Sequence, residues 1–301
     1  MRLLIGIMYT IENEFEACIE AIQMQTYQNF EYFVIKNKPN KEAHHLLYTS
    51  FMNNAESFQL FIKVDADMVL SRHTFFEEIV AFFKQNPDTD DLEIMVHDFF
   101  TGEMIFGLHI YSNRYRWEKN NEKIFVDFSS KKDFKRVQDK DLLAPAAYHC
   151  PDPSPLQAFH FGVHKAIKVM QKGIEKRKRY QMLYHWENIE KTKQNYFNKR
   201  ELSYGFATLG AEVALRNNFT YEQADFNDEI LLNHFSESNS FGLKQIDGYL
   251  HKIHIPSFTF LHPNLRRDFI YYKYSDEKFS FTQMKRLLQA SYYELVKPSS
   301  R

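Results

Sequence analysis

The chain has 301 residues, of which 44% are apolar, and its formal net charge is −1. A chain so close to neutrality lacks the basic field that draws proteins to nucleic acid, so nucleic-acid binding is not expected. Two cysteines, Cys18 and Cys150, are too few for a disulfide framework, and no stretch approaches the roughly 20 apolar residues that span a bilayer.

The first third of the chain alternates between strand and helix patterns. The continuous apolar run Leu3–Met8 is typical of a buried strand in a parallel sheet, and residues 15–22 follow with apolar side chains at helical spacing. Two more strands are predicted at Glu31–Ile35 and Phe58–Val64, and a helix is predicted from about Ser71. This order indicates an α/β sheet with crossover connections.

The remainder continues the pattern with less regularity. Leu92–His97 and Met104–Tyr111 read as two strands joined by a turn, and helices are predicted after Pro155, over Ala207–Arg216 and from about Thr282. The predicted fold class is therefore α/β, with a Rossmann-like mixed, mainly parallel sheet flanked by helices. A helical C-terminal region completes the prediction.

The most informative segment for function is the end of the third predicted strand. The run Phe61–Met68 closes in two aspartates, Asp65 and Asp67, with one small residue between them. Ligands of doubly wound sheets bind beyond the carboxyl ends of the strands, and paired carboxylates suit Mg²⁺ or Mn²⁺. The alternative is that the pair only forms a turn or caps a helix. We favour a metal site because an apolar strand precedes the pair and a helix follows it.

Several motifs occur in an order that resembles the family 2 glycosyltransferases of the GT-A fold. The resemblance covers residues 1 to about 80. It rests on the helix with Phe15, Cys18 and Ile19, on Gln25–Glu31 (Gln-Thr-Tyr-Gln-Asn-Phe-Glu), and on Val64–Asp67 (Val-Asp-Ala-Asp).

The resemblance implies a metal-dependent, inverting transfer of a sugar from a nucleotide-diphosphate donor to a hydroxyl of a glycan or lipid-linked acceptor, in bacterial surface polysaccharide synthesis. Mn²⁺ or Mg²⁺ would be the cofactor. A GT-A domain would cover residues 1–235, with the nucleotide-sugar half at 1–112, the acceptor half at 113–235 and a C-terminal extension at 236–301. We expect a cytoplasmic protein that could also associate peripherally with the inner face of the membrane.

The same resemblance assigns residues to the donor. The family's Asp-Asp-Gly-Ser after the second strand is replaced by Lys36–Pro39, so Asn37 would contact the base through its amide. The metal would be held by Asp65 and Asp67. The nucleotide sugar would contact Tyr9, Thr10, Glu12, Asn37, Lys63 and Asp65.

An inverting transfer also needs a carboxylate that takes the proton of the acceptor hydroxyl. By position, the first candidate is Glu212 and the second is Asp152, which lies in a proline-rich loop before a helix. Asp98 and Asp127 are further possibilities. The alternatives are that Glu212 is an ordinary helix residue and that the proline-rich loop only fixes the path of the chain.

The helix after Pro155 corresponds to the acceptor-side helix of the family. It carries His160, His164 and Lys165, and the two histidines are four residues apart on one face. GT-A enzymes often add a late histidine to the metal, and histidines are also common as structural or surface residues. The other candidates for such a ligand are His234, His254 and His262.

Two other functions remain open. A GT-A-like domain that has lost turnover would bind a glycan or a partner without catalysis, and the missing Asp-Asp-Gly-Ser supports this alternative. A metal-dependent nucleotidyltransferase would normally carry a glycine-rich phosphate loop after the first strand. Met8–Glu12 contains no glycine, which argues against that second alternative.

Overall fold

The structure is a computed structural model that describes residues 1–118, 133–141, 143–170 and 176–252. Some of the sequence-based predictions lie outside these residues. They are the base candidate Asp127, the histidines His254 and His262, and the helix from Thr282.

The first 85 residues contain the strands and helices that the sequence predicts, together with a helix at Asn40–Asn53 and a short strand at Met68–Leu70 that it does not predict. The strands of the described residues are β1 Leu3–Tyr9, β2 Phe30–Lys36, β3 Leu60–Asp65, β4 Met68–Leu70, β5 Asp91–Asp98, β6 Glu103–Ser112, β7 Arg136–Asp139 and β8 Ala147–His149. The helices are α1 Phe15–Gln23, α2 Asn40–Asn53, α3 Phe75–Gln85, α4 Pro155–Met170, α5 Lys176–Lys199, α6 Leu202–Asn217, α7 Glu229–Ser236 and α8 Leu243–Lys252.

The described strands form one sheet in the order β2-β1-β3-β6-β5-β8-β4, and β7 pairs with β5. Four of the seven strand pairings are parallel, and three are antiparallel. The predicted fold class, a mixed and mainly parallel sheet flanked by helices, is confirmed. Because β1 runs parallel to both β2 and β3, the carboxyl ends of these three strands lie at the same edge of the sheet.

Both faces of the central strands are covered by apolar side chains. On one face, Ile5 and Ile62 of the sheet pack in a core with Cys18 of α1 and Phe76 of α3. The opposite face carries a smaller core that includes α2. A fully buried parallel strand must be apolar along its whole length, which explains the continuous runs in β1 and β3.

Helix α2 approaches β1 closely because position 6 is glycine. A Cβ atom on Gly6 would collide with Cδ1 of Leu47 and lie 2.9 Å from Cζ of Phe51. Both of these α2 side chains are fully buried. The glycine therefore provides the space in which α2 packs on the sheet.

The chain divides into two compact units. The first contains residues 1–158 and 225–232, and the second contains residues 159–224 together with the described residues from 233 onward. In the second unit, α4 and α6 pack at Gly162, where a Cβ atom would collide with the carbonyl oxygen of Ala207. Among the described helices, none combines the length and the apolar character needed to cross a bilayer.

Candidate functional site

The carboxyl end of β3 brings Asp67 next to two residues that are distant in sequence. Strand β4 begins at Met68, and its antiparallel pairing with β8 sets Met68 opposite His149. The backbone N–H of Cys150 then donates to the carbonyl oxygen of Asp67 at 2.8 Å. The short β4–β8 ladder thus places His149 and Cys150 beside the predicted metal-binding aspartate.

The side chains of Asp67, His149 and Cys150 converge. Each offers one ligand atom, and these atoms all lie within 4.8 Å of one another. The Cys150 thiol donates to Oδ2 of Asp67 at 3.1 Å, and Nε2 of His149 lies 3.4 Å from the same oxygen and 3.7 Å from the Cys150 sulfur. The other Asp67 oxygen, Oδ1, is buried and accepts no hydrogen bond within the described part of the chain. These three side chains suit a bound cation, because a buried carboxylate oxygen of Asp67 still lacks a hydrogen-bond partner.

Asp98 holds the His149 ring in this orientation. Its Oδ1 lies 2.6 Å from Nδ1 of His149, and its Oδ2 accepts hydrogen bonds from the backbone N–H and the hydroxyl of Thr101 at 2.8 and 2.6 Å. Asp98 is fully buried. A carboxylate on the second ring nitrogen is the usual arrangement around a metal-binding histidine, because it fixes the tautomer and the ring plane.

Burial and mutual contacts shift the pKa values of the three converging side chains. Burial favours the neutral form of Asp67, but the charge and hydrogen bond of His149 outweigh it and hold the Asp67 pKa below its ordinary value. Burial would lower the pKa of His149, yet Cys150 and Asp67 together raise it. Burial raises the pKa of the Cys150 thiol, with Asp67 adding to the effect.

Asp65, the last residue of β3, has a different partner from Asp67. Its Oδ2 accepts a hydrogen bond from Nζ of Lys63 at 3.1 Å, and its side chain is 35% exposed, whereas Lys63 is buried. Alternate residues of a strand face the same way, so Lys63 and Asp65 share a face of the sheet. The three converging side chains around Asp67 do not include Asp65.

The other predicted donor-side residues gather at the carboxyl ends of β1 and β2. The backbone N–H of Asn37, a residue with φ of 54°, donates to the carbonyl oxygen of Tyr9 at 2.9 Å. The carboxylate of Glu12 accepts hydrogen bonds from the backbone N–H groups of Thr10 and Ile11 at 2.6 and 3.0 Å. The structure thus brings Tyr9, Thr10, Glu12 and Asn37 to one edge of the sheet.

An aromatic pair and a lysine side chain also lie at this edge of the sheet. The rings of Tyr9 and Phe15 stack with centroids 4.0 Å apart, and Nζ of Lys36 lies 5.8 and 5.3 Å from the two centroids. Burial raises the pKa of Glu12 to about 7, and the nearby Asp67 charge contributes in the same direction. Glu12 is therefore partly protonated near neutral pH.

The loop with Asp152 is tied to the residues before α1 by a buried carboxylate. Glu14 is 3% exposed, and its two oxygens accept from the backbone N–H of Asp152 at 3.0 Å and from Nε2 of Gln157 at 2.7 Å. Nε2 of Gln157 also lies 3.7 Å from the Cys150 sulfur, and Asn13 donates to the Asp152 carboxylate at 3.2 Å. Asp152 itself is exposed, two residues after Cys150.

The remaining predicted site residues lie in the second unit. Nε2 of His160 lies 2.7 Å from the carbonyl oxygen of Ala224, the ring of His164 stacks on that of His160 at 5.8 Å, and Nζ of Lys165 lies 4.7 Å from the Phe161 ring centroid.

Two more candidates have ionic partners. Glu212, the first candidate for the base, is 2% exposed, and its Oε1 lies 3.4 Å from Nζ of Lys193. His234 pairs with Glu237 at 3.8 Å. The burial of Glu212 against a lysine is also what a purely structural ion pair between α5 and α6 would show.

Sequence reasoning missed His149 and Cys150 as partners of Asp67. The adjacent His-Cys pair, placed just before the proline-rich loop, was the available signal. Asp98, a further possibility for the general base, has both of its oxygens in hydrogen bonds with His149 and Thr101.

No protein-family model matches the chain, and no curated protein matches it. Among solved structures, it is similar to the mannosyltransferase PcManGT from Pyrobaculum calidifontis in complex with GDP-Man and Mn²⁺, with 10% identity, 98% of this chain and 87% of that chain covered, and a TM-score of 0.39. It is also similar to A197 from STIV, with 13% identity, 50% of this chain and 87% of that chain covered, and a TM-score of 0.37. TM-scores this low carry no inference about this chain.

Proposed function

We propose that this chain is a glycosyltransferase that moves a sugar from a nucleotide-diphosphate donor to a hydroxyl group, with a divalent cation held at the end of β3. The observation that carries the proposal is the unpartnered, buried Oδ1 of Asp67 at the carboxyl end of a parallel strand. That edge is where doubly wound sheets bind phosphate-bearing ligands. The motif order that resembles family 2 glycosyltransferases supports the same conclusion.

The residues around Asp67 supply the ligands that such a cation needs. Asp67, His149 and Cys150 would hold it, and its other positions would be left to the diphosphate. When bound, the cation supplies positive charge against the charge that develops on the departing diphosphate. The resemblance by itself implies Mn²⁺ or Mg²⁺ with Asp65 as a further ligand, whereas Asp65 lies outside the converging group and is paired with Lys63.

The nucleotide would lie over the edge formed by β1 and β2. Tyr9 and Asn37 border this edge, and Lys36 adds a positive charge beside the aromatic pair. The raised pKa of Glu12 makes it a hydrogen-bond donor as well as an acceptor near neutral pH. Lys63, which neutralises Asp65, limits the negative charge that a diphosphate would meet.

We propose that Asp152, rather than Glu212, is the base that takes the proton of the acceptor hydroxyl. An acceptor hydroxyl must reach its base, and Asp152 is exposed two residues from Cys150, whereas Glu212 is buried against Lys193. The loop of Asp152 is fixed by Glu14, which favours a defined position for the carboxylate. A single inverting displacement then requires only this one base.

The wider assignment follows the resemblance. We propose a glycan or lipid-linked acceptor, a role in bacterial surface polysaccharide synthesis, and a cytoplasmic enzyme that can rest on the inner face of the membrane. The acceptor side would include His160, His164 and Lys165 of α4. Residues 1–235 would form the transferase, with 236–301 as an extension.

The proposal is tested by a thermal-shift screen of uridine, guanosine and cytidine nucleotides with and without Mn²⁺, followed by donor hydrolysis. A ligand at 100 times its Kd stabilises the folded state by about 2.7 kcal/mol, so one nucleotide should stand out in the presence of the cation. Asp67→Asn should abolish both responses, while Asp88→Asn in an exposed turn should retain them. Glycan binding without any nucleotide response would instead show a binding module.

A further inference from the structure

We propose that the cation site is a three-ligand site of the zinc type, in which Cys150 binds as a thiolate, His149 binds through Nε2 and Asp67 binds through a carboxylate oxygen. Such a site prefers Zn²⁺ and Co²⁺ to Mg²⁺. The inference rests on the proposed function, because it names the class of cation that the same site takes.

The separations between the three ligand atoms carry the inference. Zinc binds sulfur at about 2.3 Å and nitrogen or oxygen at about 2.0–2.2 Å, so the edges of its coordination tetrahedron measure about 3.3–3.8 Å. The observed separations are 3.1 Å between sulfur and oxygen, 3.4 Å between nitrogen and oxygen, and 3.7 Å between nitrogen and sulfur. An octahedral Mg²⁺ at about 2.0–2.1 Å requires adjacent ligands about 2.9 Å apart. The nitrogen–oxygen and nitrogen–sulfur separations lie within the tetrahedral range. The sulfur–oxygen separation is shorter, because the protonated thiol donates a hydrogen bond to this oxygen.

The chemistry of the ligands points the same way. Thiolate and imidazole are ligands for zinc and related transition metals, whereas Mg²⁺ prefers oxygen atoms alone. Cys150 is 2% exposed, and its thiol contacts the Asp67 carboxylate and the His149 ring. On coordination, the thiol releases its proton to solvent and the sulfur binds the cation.

The backbone and the surrounding residues are arranged for this geometry. Cys150 has φ of 50°, a conformation that residues other than glycine rarely adopt, and its N–H is held by the Asp67 carbonyl. This strained conformation directs the sulfur toward Asp67. Asp98 is the positioning residue, since it binds the other ring nitrogen of His149 and leaves Nε2 for the cation.

Three protein ligands leave a fourth position open. Structural zinc sites use four protein ligands, whereas catalytic sites use three and leave the last position to water or substrate. Within the described residues, the converging group contains three side chains. The open position would accept a phosphate oxygen of the donor.

The test is a titration of the metal-free full-length protein with Co²⁺, followed by absorption spectroscopy. A thiolate ligand gives a sulfur-to-cobalt charge-transfer band in the near ultraviolet, and tetrahedral Co²⁺ gives intense visible bands. We expect both in the native protein and expect Zn²⁺ to displace them at equimolar amounts, while a 100-fold excess of Mg²⁺ does not. Cys150→Ala should lose the charge-transfer band. The matched control Cys18→Ala, which removes the other cysteine, should retain it.

Asp98→Asn tests the positioning role separately. It should weaken Co²⁺ binding by about 10- to 100-fold while the charge-transfer band persists at saturation, and circular dichroism will show whether the variant is folded. A native protein that binds Co²⁺ and a nucleotide without any thiolate band would overturn the inference and leave the proposed function standing. A thiolate band without nucleotide binding would support the metal site and count against the transferase.

Discussion

Nε2 of Gln157 donates to Oε2 of Glu14 at 2.7 Å, which joins the residue before α1 to the first turn of α4 across 143 positions of sequence. The other Glu14 oxygen accepts from the backbone N–H of Asp152. The loop that contains Cys150 and Asp152 is therefore held in part by one buried carboxylate, alongside the hydrogen bonds from Asn13 to Asp152 and from Cys150 to Asp67. A change at Glu14 affects both of its own hydrogen bonds at once.

Glu14→Gln should destabilise this loop. Glutamine offers one acceptor oxygen where glutamate offers two, so either Gln157 or the Asp152 N–H is left without a partner. A buried unpaired donor costs about 1–3 kcal/mol. Chemical denaturation should show a loss of this size, and cation affinity should fall as well. Glu20→Gln on the exposed face of α1 is the control and should change the free energy of unfolding by less than about 0.5 kcal/mol.

Glu12→Gln should change the pH dependence of stability. The folded-state pKa of Glu12 is raised from 4.5 to about 7, chiefly by burial, so the folded chain binds this proton more tightly than the unfolded chain. The resulting stabilisation is complete below about pH 4.5 and is lost as the pH rises through about 7. Between pH 5 and pH 8, the free energy of unfolding of the variant should rise relative to that of the native protein, by up to about 3 kcal/mol.

Denaturant titrations with EDTA at several pH values measure this difference. Two parallel curves for native protein and variant would show that Glu12 titrates normally, and would remove the argument that it is protonated at the site.

Asp67→Asn and Asp65→Asn should differ in their effects on the cation. The Asp67 carboxylate faces His149 and Cys150, so its loss should weaken cation binding about 100-fold or more. Asp65 is paired with Lys63, and its loss should cost less in cation affinity. Isothermal titration with Mn²⁺ and with Zn²⁺ gives both values. Equal losses in the two variants would mean that Asp65 is an equal ligand, as the motif alone suggests.

Gly6→Ala should weaken the packing of α2 on the sheet. The added methyl group would collide with Leu47, which is fully buried, and overpacking of this kind costs about 1–3 kcal/mol. Gly248→Ala in α8 is the matched control, because no atom lies within 4 Å of the place where its methyl group would stand. There, alanine should stabilise the helix by about 0.5–1 kcal/mol. Thermal denaturation of the two variants should move the midpoint in opposite directions.

The sequence predicted the elements whose patterns are local. The strand predicted at Leu3–Met8 is observed as β1 Leu3–Tyr9, and the helix predicted over Ala207–Arg216 lies inside α6 Leu202–Asn217. Continuous apolar runs and helical periodicity depend on neighbouring residues alone. Helix α2 was missed, since Asn40–Asn53 is only weakly apolar on average and follows a polar, proline-containing turn.

The site was predicted in part, for a physical reason. Asp67 could be found from the strand before it, because a strand end is a local feature. His149 and Cys150 reach Asp67 only through the pairing of β4 with β8, two strands of three residues each, and the contact joins positions 83 apart. Strands this short leave no periodic signal in the sequence. The partners of Asp67 are thus a property of the tertiary fold.

The central claim is that a divalent cation binds at Asp67 and holds a nucleotide diphosphate. Anomalous diffraction from crystals grown with Zn²⁺ or Mn²⁺ and a nucleoside diphosphate tests it most directly. We expect a peak bonded to Asp67 and His149, with a phosphate oxygen completing the coordination. A crystal with bound nucleotide whose anomalous peaks all lie away from Asp67 would contradict the account.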